Sequence, residues 1–415
     1  MVFDQQLLKR RNRMTLVRLV KAQPGLSRAE LAKRSGLTKS TVSVLASELI
    51  EEGWLREDDA STVQRLGRRP TPLVLDPSRL ALLGAELGVD YLNVVACNLQ
   101  GKISWSSHVP YHHADVDRSA SDLARLIAEA HGFLSVRHCR PLGVGIGVPG
   151  PVDGRDGALR FAPNIGWHHV AIGRIFREKL DEVGCADLRV SVLNDANAAA
   201  LAHYVFGTDP HTSPLVYLTL GIGLGAGIVL GDRLYLGIEG MAGEVGHTIL
   251  VPDGPECSCG RRGCAEMFIS QRAMSRAITG EDAILPIDDL VGRVARKEDA
   301  ALRAVARAGD FLGLLMQNLC NTLNPAIITL GGPLCQFGEA LLEESLKGMR
   351  TRGGRYDSDR VTIGLCRFGR NACAVGAAAS VFHELLKVDE GPLDRRRAAP
   401  VRPGGRLAGR DTAPP

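Results

Sequence analysis

The first 55 residues alternate between helically spaced hydrophobic positions and short polar turns. One apolar side of a first helix is predicted before Pro24 and Gly25, which would end that helix. Ser27 and Glu30 have the spacing of a capping box, and they predict a second helix that closes at Gly36. The apolar side of the first helix consists of Leu7, Leu8, Met14, Leu16, Val17, Leu19 and Val20.

A third helix is predicted from its capping residue Thr38 to about Glu52. Its hydrophobic positions recur at i, i+3 and i+7 and predict a buried side, whereas its outward N-terminal side is polar. Helix, turn and helix in this order are typical of a helix-turn-helix, which presents the outward side to base edges and phosphates in the major groove. The buried side consists of Val42, Leu45 and Leu49, and the outward side consists of Lys39, Ser40 and Ser43.

Two short strands are predicted at residues 54–55 and 73–75, on either side of a polar loop that contains Arg65, Arg68 and Arg69. The loop resembles the wing of a winged helix-turn-helix, and its arginines suit a narrow minor groove. Residues 1–80 hold 15 Lys and Arg against 9 Asp and Glu, which makes this segment basic. We therefore expect residues 1–76 to bind double-stranded operator DNA. A protein-interaction domain with a solvated basic face is the alternative.

From about residue 80, buried strands, glycine-rich turns and helices recur in two halves. This pattern predicts two α/β lobes with a cleft between them. Residues 388–415 are rich in Pro, Gly and Arg, and we expect a disordered basic tail there. The predicted strands cover residues 82–87, 92–97, 142–148, 188–193, 216–220, 228–230 and 326–330, and the predicted helices cover residues 121–132 and 301–323.

An uncharged stretch runs from Pro214 to Gly231 and is long enough to suggest a membrane span. Glycines interrupt it repeatedly, so strand, loop and strand are favoured over a lipid-facing helix, and no membrane partner is expected. The N-terminus shows no apolar signal core, and most of the ten cysteines are scattered through apolar segments. These features favour a reducing, cytoplasmic location.

The most distinctive chemistry lies between residues 247 and 266. His247, Cys257, Cys259 and Cys264 offer one imidazole and three thiolates, which are ligands of tetrahedral zinc. A disulfide is the alternative, but Cys257 and Cys259 are too close in sequence to pair easily. Because all four ligands come from the protein, we predict a structural zinc that holds a loop, with no position left for a hydrolytic water.

The chain resembles the ROK family, which joins sugar repressors, open reading frames and sugar kinases. The stretch 240–266, from Gly240 through His247 to Glu266, carries the most specific part of the resemblance. Other matching motifs are Pro149-Gly150, residues 163–167, Asn194-Asp195-Ala196-Asn197 and the glycine run 221–227.

The resemblance implies an α/β fold in which a winged helix-turn-helix precedes a two-lobed actin-like, ribonuclease H-like ATPase fold. Residues 77–387 would form a sugar-binding domain. One lobe would span residues 77–195 with the C-terminal helix, and the other would span residues 196–370.

The resemblance also implies which side chains bind sugar hydroxyls. Carboxylates and carboxamides suit this role because each can take a pair of hydroxyls. Zinc would hold one nitrogen of His247 and leave the other for the sugar. The implied sugar-binding residues are Asn164, Asn194, Asp195, Glu244, His247 and Glu266.

Sugar kinases of this family begin their first lobe with an Asp-x-Gly-Gly-Thr phosphate loop. The matching stretch here is residues 86–90, where Val89 replaces a glycine and the anionic Asp90 replaces the threonine, and Ile222 replaces a threonine of the second loop. An anion repels phosphate, so we expect no enzymatic activity. Asp195 matches the kinases' general base, and an ATP-dependent, glucokinase-like sugar kinase with a DNA-binding head is therefore the alternative.

These features together predict a sugar-responsive regulator, expected to repress genes of carbohydrate uptake or catabolism. A sugar or sugar phosphate would bind in the cleft, and a homodimer or homotetramer would carry the heads. Sugar binding would close the cleft and change the spacing of the heads on DNA. A sugar-regulated protein-interaction module is the third hypothesis.

Overall fold

The computed structural model describes residues 5–58, 71–111, 115–154, 157–207, 211–352 and 361–387. These ranges form a helical N-terminal head with a small sheet, followed by an α/β body with two five-stranded sheets. The predicted order of a helix-turn-helix and a two-lobed α/β body is therefore observed. The proposed tail, residues 388–415, lies outside the described residues.

The head contains α1 (Gln5–Ala22), α2 (Arg28–Ser35) and α3 (Lys39–Glu51). The predicted capping box is present, because the Glu30 N–H donates to Ser27 Oγ at 3.3 Å and the Ser27 N–H donates to Glu30 Oε2 at 2.8 Å. The predicted inner side of α3 is buried. The apolar side of α1 is shorter than predicted, because Leu7 and Leu8 are each 45% exposed.

A three-stranded antiparallel sheet completes the head, in the order β1-β3-β2. Its strands are β1 (Leu26–Ser27), β2 (Leu55–Glu57) and β3 (Pro72–Leu75). The two strands predicted beside the wing are confirmed as β2 and β3. The wing residues Arg65, Arg68 and Arg69 lie outside the described residues.

The first body sheet has the order β10-β7-β4-β5-β6. Helix α4 packs against this sheet and against α5, while α12 packs on β4 and β7. The elements are β4 (Leu80–Leu87), β5 (Tyr91–Asn98), β6 (Ile103–Pro110), α4 (Val116–Val136), β7 (Arg140–Val148), α5 (Ile172–Glu182), β10 (Val190–Asn194) and α12 (Ala372–Leu386). A small hairpin of β8 (Leu159–Ala162) and β9 (Trp167–Val170) lies between β7 and α5 in the chain.

The second body sheet has the order β13-β12-β11-β14-β15. Helix α6 packs on β12 and β11 and also against α12, so these two helices join the sheets. The elements are α6 (Asp195–Phe206), β11 (Leu215–Leu220), β12 (Leu224–Leu230), β13 (Arg233–Leu234), α7 (Glu266–Ile269), α8 (Gln271–Thr279), α9 (Ile287–Ala295), α10 (Asp299–Leu323), β14 (Ile327–Gly331), α11 (Glu339–Arg352) and β15 (Thr362–Leu365).

The uncharged stretch from Pro214 to Gly231 forms the antiparallel hairpin of β11 and β12, as the glycine spacing predicts. Across the described ranges, no helix has the length and apolar character to span a bilayer.

Candidate functional site

Four ligand-type side chains converge beside the second sheet. One ligand atom from each of His247, Cys257, Cys259 and Cys264 lies within 4.8 Å of the others, and no other such cluster occurs in the described ranges. Cys257 Sγ lies 3.6 Å from His247 Nδ1, and Cys259 Sγ lies 3.6 Å from Cys264 Sγ. In a zinc tetrahedron with Zn–S bonds of about 2.3 Å, neighbouring sulfurs stand about 3.8 Å apart. The donor set and its spacing therefore fit zinc.

Gly263 lets the chain fold tightly enough to bring these ligands together. Its φ is +74°, and a Cβ at this position would lie 1.6 Å from the carbonyl oxygen of Val251. A side chain would collide with that backbone oxygen. The close turn places Cys264 next to Glu266, which begins α7. The loop that gathers the thiols therefore also positions a carboxylate.

The start of α6 supplies two candidate sugar ligands, Asn194 and Asp195. Asn194 caps α6 by accepting from the Asn197 N–H, and its amide donates to Asp195 Oδ1 at 2.9 Å. Asp195 Oδ1 also accepts from the Ala196 N–H at 2.7 Å. Burial raises the pKa of Asp195 to about 6, although these hydrogen bonds favour the ionised form. The network holds the Asp195 carboxyl in one orientation.

Glu244 and Glu266 lie near this pair and belong to the segment that holds the four metal-ligand-type side chains. Glu266 Oε2 accepts from the Leu224 N–H at 2.9 Å, and Glu244 Oε2 lies 3.8 Å from His247 Nε2. Burial raises the pKa of Glu244, and the nearby Asp195 and Glu266 carboxylates raise it further. The structure therefore brings five predicted residues into one region, namely Asn194, Asp195, Glu244, His247 and Glu266.

Asn164, the sixth predicted sugar residue, is exposed in the 3₁₀ turn that follows β8. Gly150 lies between the start of α6 and strand β8, which leads into this turn. The Asn194 amide donates to the Gly150 carbonyl at 3.1 Å, and a Cβ on Gly150 would lie 2.0 Å from Phe161 O in β8. Asn164 thus stands on a neighbouring loop, outside the carboxylate cluster itself.

The turn between β4 and β5, which the sequence resemblance relates to a kinase phosphate loop, has the Tyr91 ring packed against Gly88. A Cβ on Gly88 would lie 2.7 Å from Tyr91 Cε1, while the Tyr91 hydroxyl donates to Glu86. His108 stacks on the Tyr91 ring with centroids 4.8 Å apart. Burial raises the pKa of Glu86 to about 7. Val89 and Asp90 were identified from the sequence but Tyr91 was not, because a single aromatic residue gives no sign that its ring folds back onto the turn.

The outward side of α3 is exposed as predicted, since Lys39, Ser40 and Ser43 all face away from the head's core. Val44 stands beside them and is 59% exposed, although valine is usually buried. Val44 was not among the residues predicted to face DNA, although its spacing of four residues from Ser40 places both on one side of the helix.

Comparison with known proteins decides the family. A model of the ROK family matches residues 82–384, and a model of the IclR helix-turn-helix domain matches residues 14–59. The chain belongs to the ROK family. Because it joins a ROK body to a helix-turn-helix head, it is a DNA-binding transcriptional regulator of that family, with the family's actin-like, sugar-kinase-type fold.

Relatives of this ROK protein include the xylose repressor of Caldicellulosiruptor bescii. The two are 31% identical over 406 residues, which cover 93% of this chain and 99% of the repressor. A crystal structure of a ROK family transcriptional regulator, described as a homologue of the E. coli MLC protein, has the same fold. It is 24% identical with a TM-score of 0.75, and the match covers 92% of this chain and 98% of the other.

A ROK family glucokinase from Streptomyces griseus, crystallised with glucose and AMPPNP, is 27% identical with a TM-score of 0.62. That match covers 72% of this chain and 98% of the glucokinase. The kinase therefore corresponds to a smaller share of this ROK protein than the repressor does.

Proposed function

We propose that this ROK protein is a sugar-responsive repressor whose effector binds in the cleft beside a structural zinc. The observation that carries the proposal is the orientation of the His247 ring. Its Nδ1 faces Cys257 within the cluster of metal-ligand-type side chains. Its Nε2 faces Glu244, one of the clustered carboxylates. Zinc would fix the ring through one nitrogen and leave the other to bind a hydroxyl.

The cluster of carboxylates around Glu244 also indicates the chemical class of the effector. Glu244 lies close enough to Asp195 and Glu266 for their charges to raise its pKa. A neutral polyhydroxyl compound can donate several hydrogen bonds to such a group, whereas a phosphate dianion would be repelled by it. We therefore propose an unphosphorylated sugar. The name of the relative from C. bescii makes D-xylose the first candidate.

The head would bind operator DNA through the exposed side of α3, which begins with Lys39. The wing arginines, Arg65, Arg68 and Arg69, remain a prediction and would add minor-groove contacts. A homodimer or homotetramer would present two heads to the two halves of an operator. Binding of this kind weakens steeply as salt increases, because cations released from DNA contribute to the affinity.

The retained Asp195 favours one alternative, a sugar kinase with a DNA-binding head. Against it stands the position of Tyr91, whose ring covers Gly88 and whose hydroxyl binds Glu86. A nucleotide phosphate at that turn would meet a ring and a buried carboxyl. We therefore infer that sugar, and not ATP, is the ligand of the cleft.

Isothermal calorimetry with D-xylose and D-glucose tests the proposal. We expect one of them to bind the wild type, and Asp195→Asn to weaken it at least tenfold, because hydrogen bonds to a charged group contribute about 1.5–3 kcal/mol. Glu178→Gln is the control, since this carboxylate is 60% exposed on α5. Equal affinities of wild type and Asp195→Asn would contradict the proposed site.

A further inference from the structure

Helix α1 meets the body at a polar cluster, which we call the head joint. Its centre is Asp232, whose Oδ1 accepts from the Tyr204 hydroxyl at 2.8 Å and lies 3.1 Å from His383 Nε2. Arg18 of α1 lies 3.8 Å from Asp232 Oδ2. Hydrogen bonding to His383 holds the pKa of Asp232 well below its usual range. The carboxylate therefore faces both the head and the body. The head joint consists of Arg18, Lys21, Tyr204, His211, Asp232 and His383.

Lys21 makes the second contact of the joint. Its Nζ donates to the Val205 carbonyl at 2.9 Å and lies 2.9 Å from His211 Nε2. Val205 belongs to the last turn of α6, where carbonyl oxygens lack helical partners and carry partial negative charge. Burial lowers the pKa of Lys21 to about 8. Lys21 thus ties the end of α1 to the end of α6.

The turn that presents Asp232 is short. Gly231 and Asp232 connect β12 to β13, in which Leu230 pairs with Arg233. Their φ values are +53° and +64°, the signature of a two-residue I′ hairpin turn. The backbone twist of such a turn matches that of its strands. Because the turn has only two residues, Asp232 is held directly at the end of β12.

Two elements connect the joint to the proposed sugar site. Helix α6 begins at Asp195 in the cleft and ends at the contact with Lys21. Strand β12 begins at Leu224, which donates its N–H to Glu266, and leads to Asp232. A helix of this length spans roughly 18 Å and a strand of this length roughly 23 Å. Both elements therefore run from the proposed sugar site to the head joint.

Helix α6 and strand β12 are also packed directly on each other. A Cβ on Gly227 of β12 would lie 2.3 Å from the carbonyl oxygen of Ala196 and 2.6 Å from the Ala200 side chain. Backbone contact this close leaves no space for the helix and strand to slide independently. A displacement at the cleft end of one element would therefore move the other with it.

We propose that Asp232 and Lys21 are positioning residues through which the sugar site sets the orientation of the DNA-binding head. The inference rests on the proposed function, because it requires a sugar in the cleft. A sugar that draws Asp195 towards Glu266 displaces the starts of α6 and β12. The joint then carries that displacement into α1 and changes the placement of α3 on DNA.

The test separates sugar binding from sugar response. Calorimetry with D-xylose and D-glucose gives the sugar affinity, and gel shifts with duplexes selected by the wild type from a random library give the DNA affinity with and without sugar. We expect sugar to change the wild-type DNA affinity by 5-fold or more. Asp232→Asn should reduce that change below 2-fold while sugar affinity stays within 3-fold of wild type.

Asparagine is chosen because it keeps the size of the side chain and tolerates a left-handed turn, so the hairpin is preserved. Lys21→Met should uncouple in the same way, whereas Lys21→Arg should retain the response because it keeps the cation. Asp187→Asn, an exposed position between α5 and β10, is the matched control.

A full sugar response in both Asp232→Asn and Lys21→Met would overturn the head joint and leave the proposed function intact. A wild type that binds neither sugar and shows no response would overturn the proposed function, and the joint with it. Loss of sugar affinity in Asp232→Asn would also count against the joint, because it would show that the residue supports the cleft itself.

Discussion

Glu86 carries a buried carboxyl that has few hydrogen-bond donors around it. It is 6% exposed in β4, and its Oε2 and the Oδ1 of Asn93, its cross-strand partner, have no hydrogen-bond partner among the described residues. Burial, together with the nearby charge of Asp195, therefore raises the pKa of Glu86 to about 7. A carboxyl in this position is more easily kept neutral than charged.

The first prediction concerns the pH dependence of stability. The unfolded chain releases the Glu86 proton near pH 4.5, whereas the folded chain keeps it until about pH 7. Stability should therefore fall as pH rises between these values, by on the order of 3 kcal/mol in total. In Glu86→Gln the part of this loss that Glu86 causes should disappear, because an amide accepts from Tyr91 and donates to Asn93 without ionising. The part that Asp195 causes should remain, since burial raises the pKa of Asp195 to about 6.

Denaturant unfolding of both proteins at pH 5 and pH 8 measures the effect. Glu343→Gln, an exposed carboxylate of α11, should keep the wild-type profile. If Glu86→Gln shows the same loss of stability between pH 5 and pH 8 as the wild type, Glu86 is not the group responsible.

The second prediction concerns Val44 on the DNA-facing side of α3. An exposed valine beside Lys39, Ser40 and Ser43 is suited to contact the C5 methyl group of thymine. Replacing thymine by uracil in a selected duplex removes that methyl group and should weaken wild-type binding about fourfold at a contacted position. For Val44→Ala, the difference in affinity between the thymine duplex and the uracil duplex should be smaller than for the wild type.

Val136→Ala is the control, because Val136 is 78% exposed at the end of α4 in the body. A uracil effect of the same size in wild type and Val44→Ala would exclude Val44 as the residue that contacts the methyl group. Absence of any DNA binding would instead favour the protein-interaction alternative for the head.

Elements with a local signal were predictable from sequence. The capping box, the inner side of α3 and the buried strands each follow from spacing that one segment contains. Strand β6 was missed although Ile103, Trp105 and Val109 alternate with polar residues, because its interrupted alternation is weaker than a continuous apolar run. Strand β1 has only two residues, too few to show a period.

The segment that holds His247, Cys257, Cys259 and Cys264, the proposed zinc site, yields the third prediction. Cys259→Ser should release one zinc per chain and weaken sugar binding about 10–100-fold, because His247 and Glu266 lose the support that orients them. Cys139→Ser is the control, since Cys139 lies outside the cluster. Elemental analysis and calorimetry give the two readouts.

DNA affinity in the absence of sugar should change little in Cys259→Ser, because the loop is remote from α3. Wild-type protein without bound zinc would refute the metal assignment. Unchanged sugar affinity in a zinc-free variant would instead show that the metal does not support the sugar site.

At the scale of the whole molecule, local patterns no longer suffice. The carboxylate cluster could be inferred only through the family resemblance, since its members lie on separate loops. The head joint could not be inferred at all, because Arg18, Tyr204, His383 and Asp232 come from four distant parts of the chain. Helix α6 and strand β12 together connect the proposed sugar site to the head joint, and that connection follows only from tertiary packing.

The last prediction separates regulator from kinase on the intact protein. Asp195 is present, so a sugar should bind, but Tyr91 covers the turn where a kinase would hold phosphate. We therefore expect heat from sugar binding, no measurable Mg-ATP binding, and no sugar-dependent ADP release in a coupled assay. Asp195→Asn should weaken sugar binding and leave the absence of turnover unchanged. Sugar-dependent ADP release on the order of 1–100 s⁻¹ that vanishes in Asp195→Asn would establish the kinase instead, since only a working general base would be sensitive to that substitution.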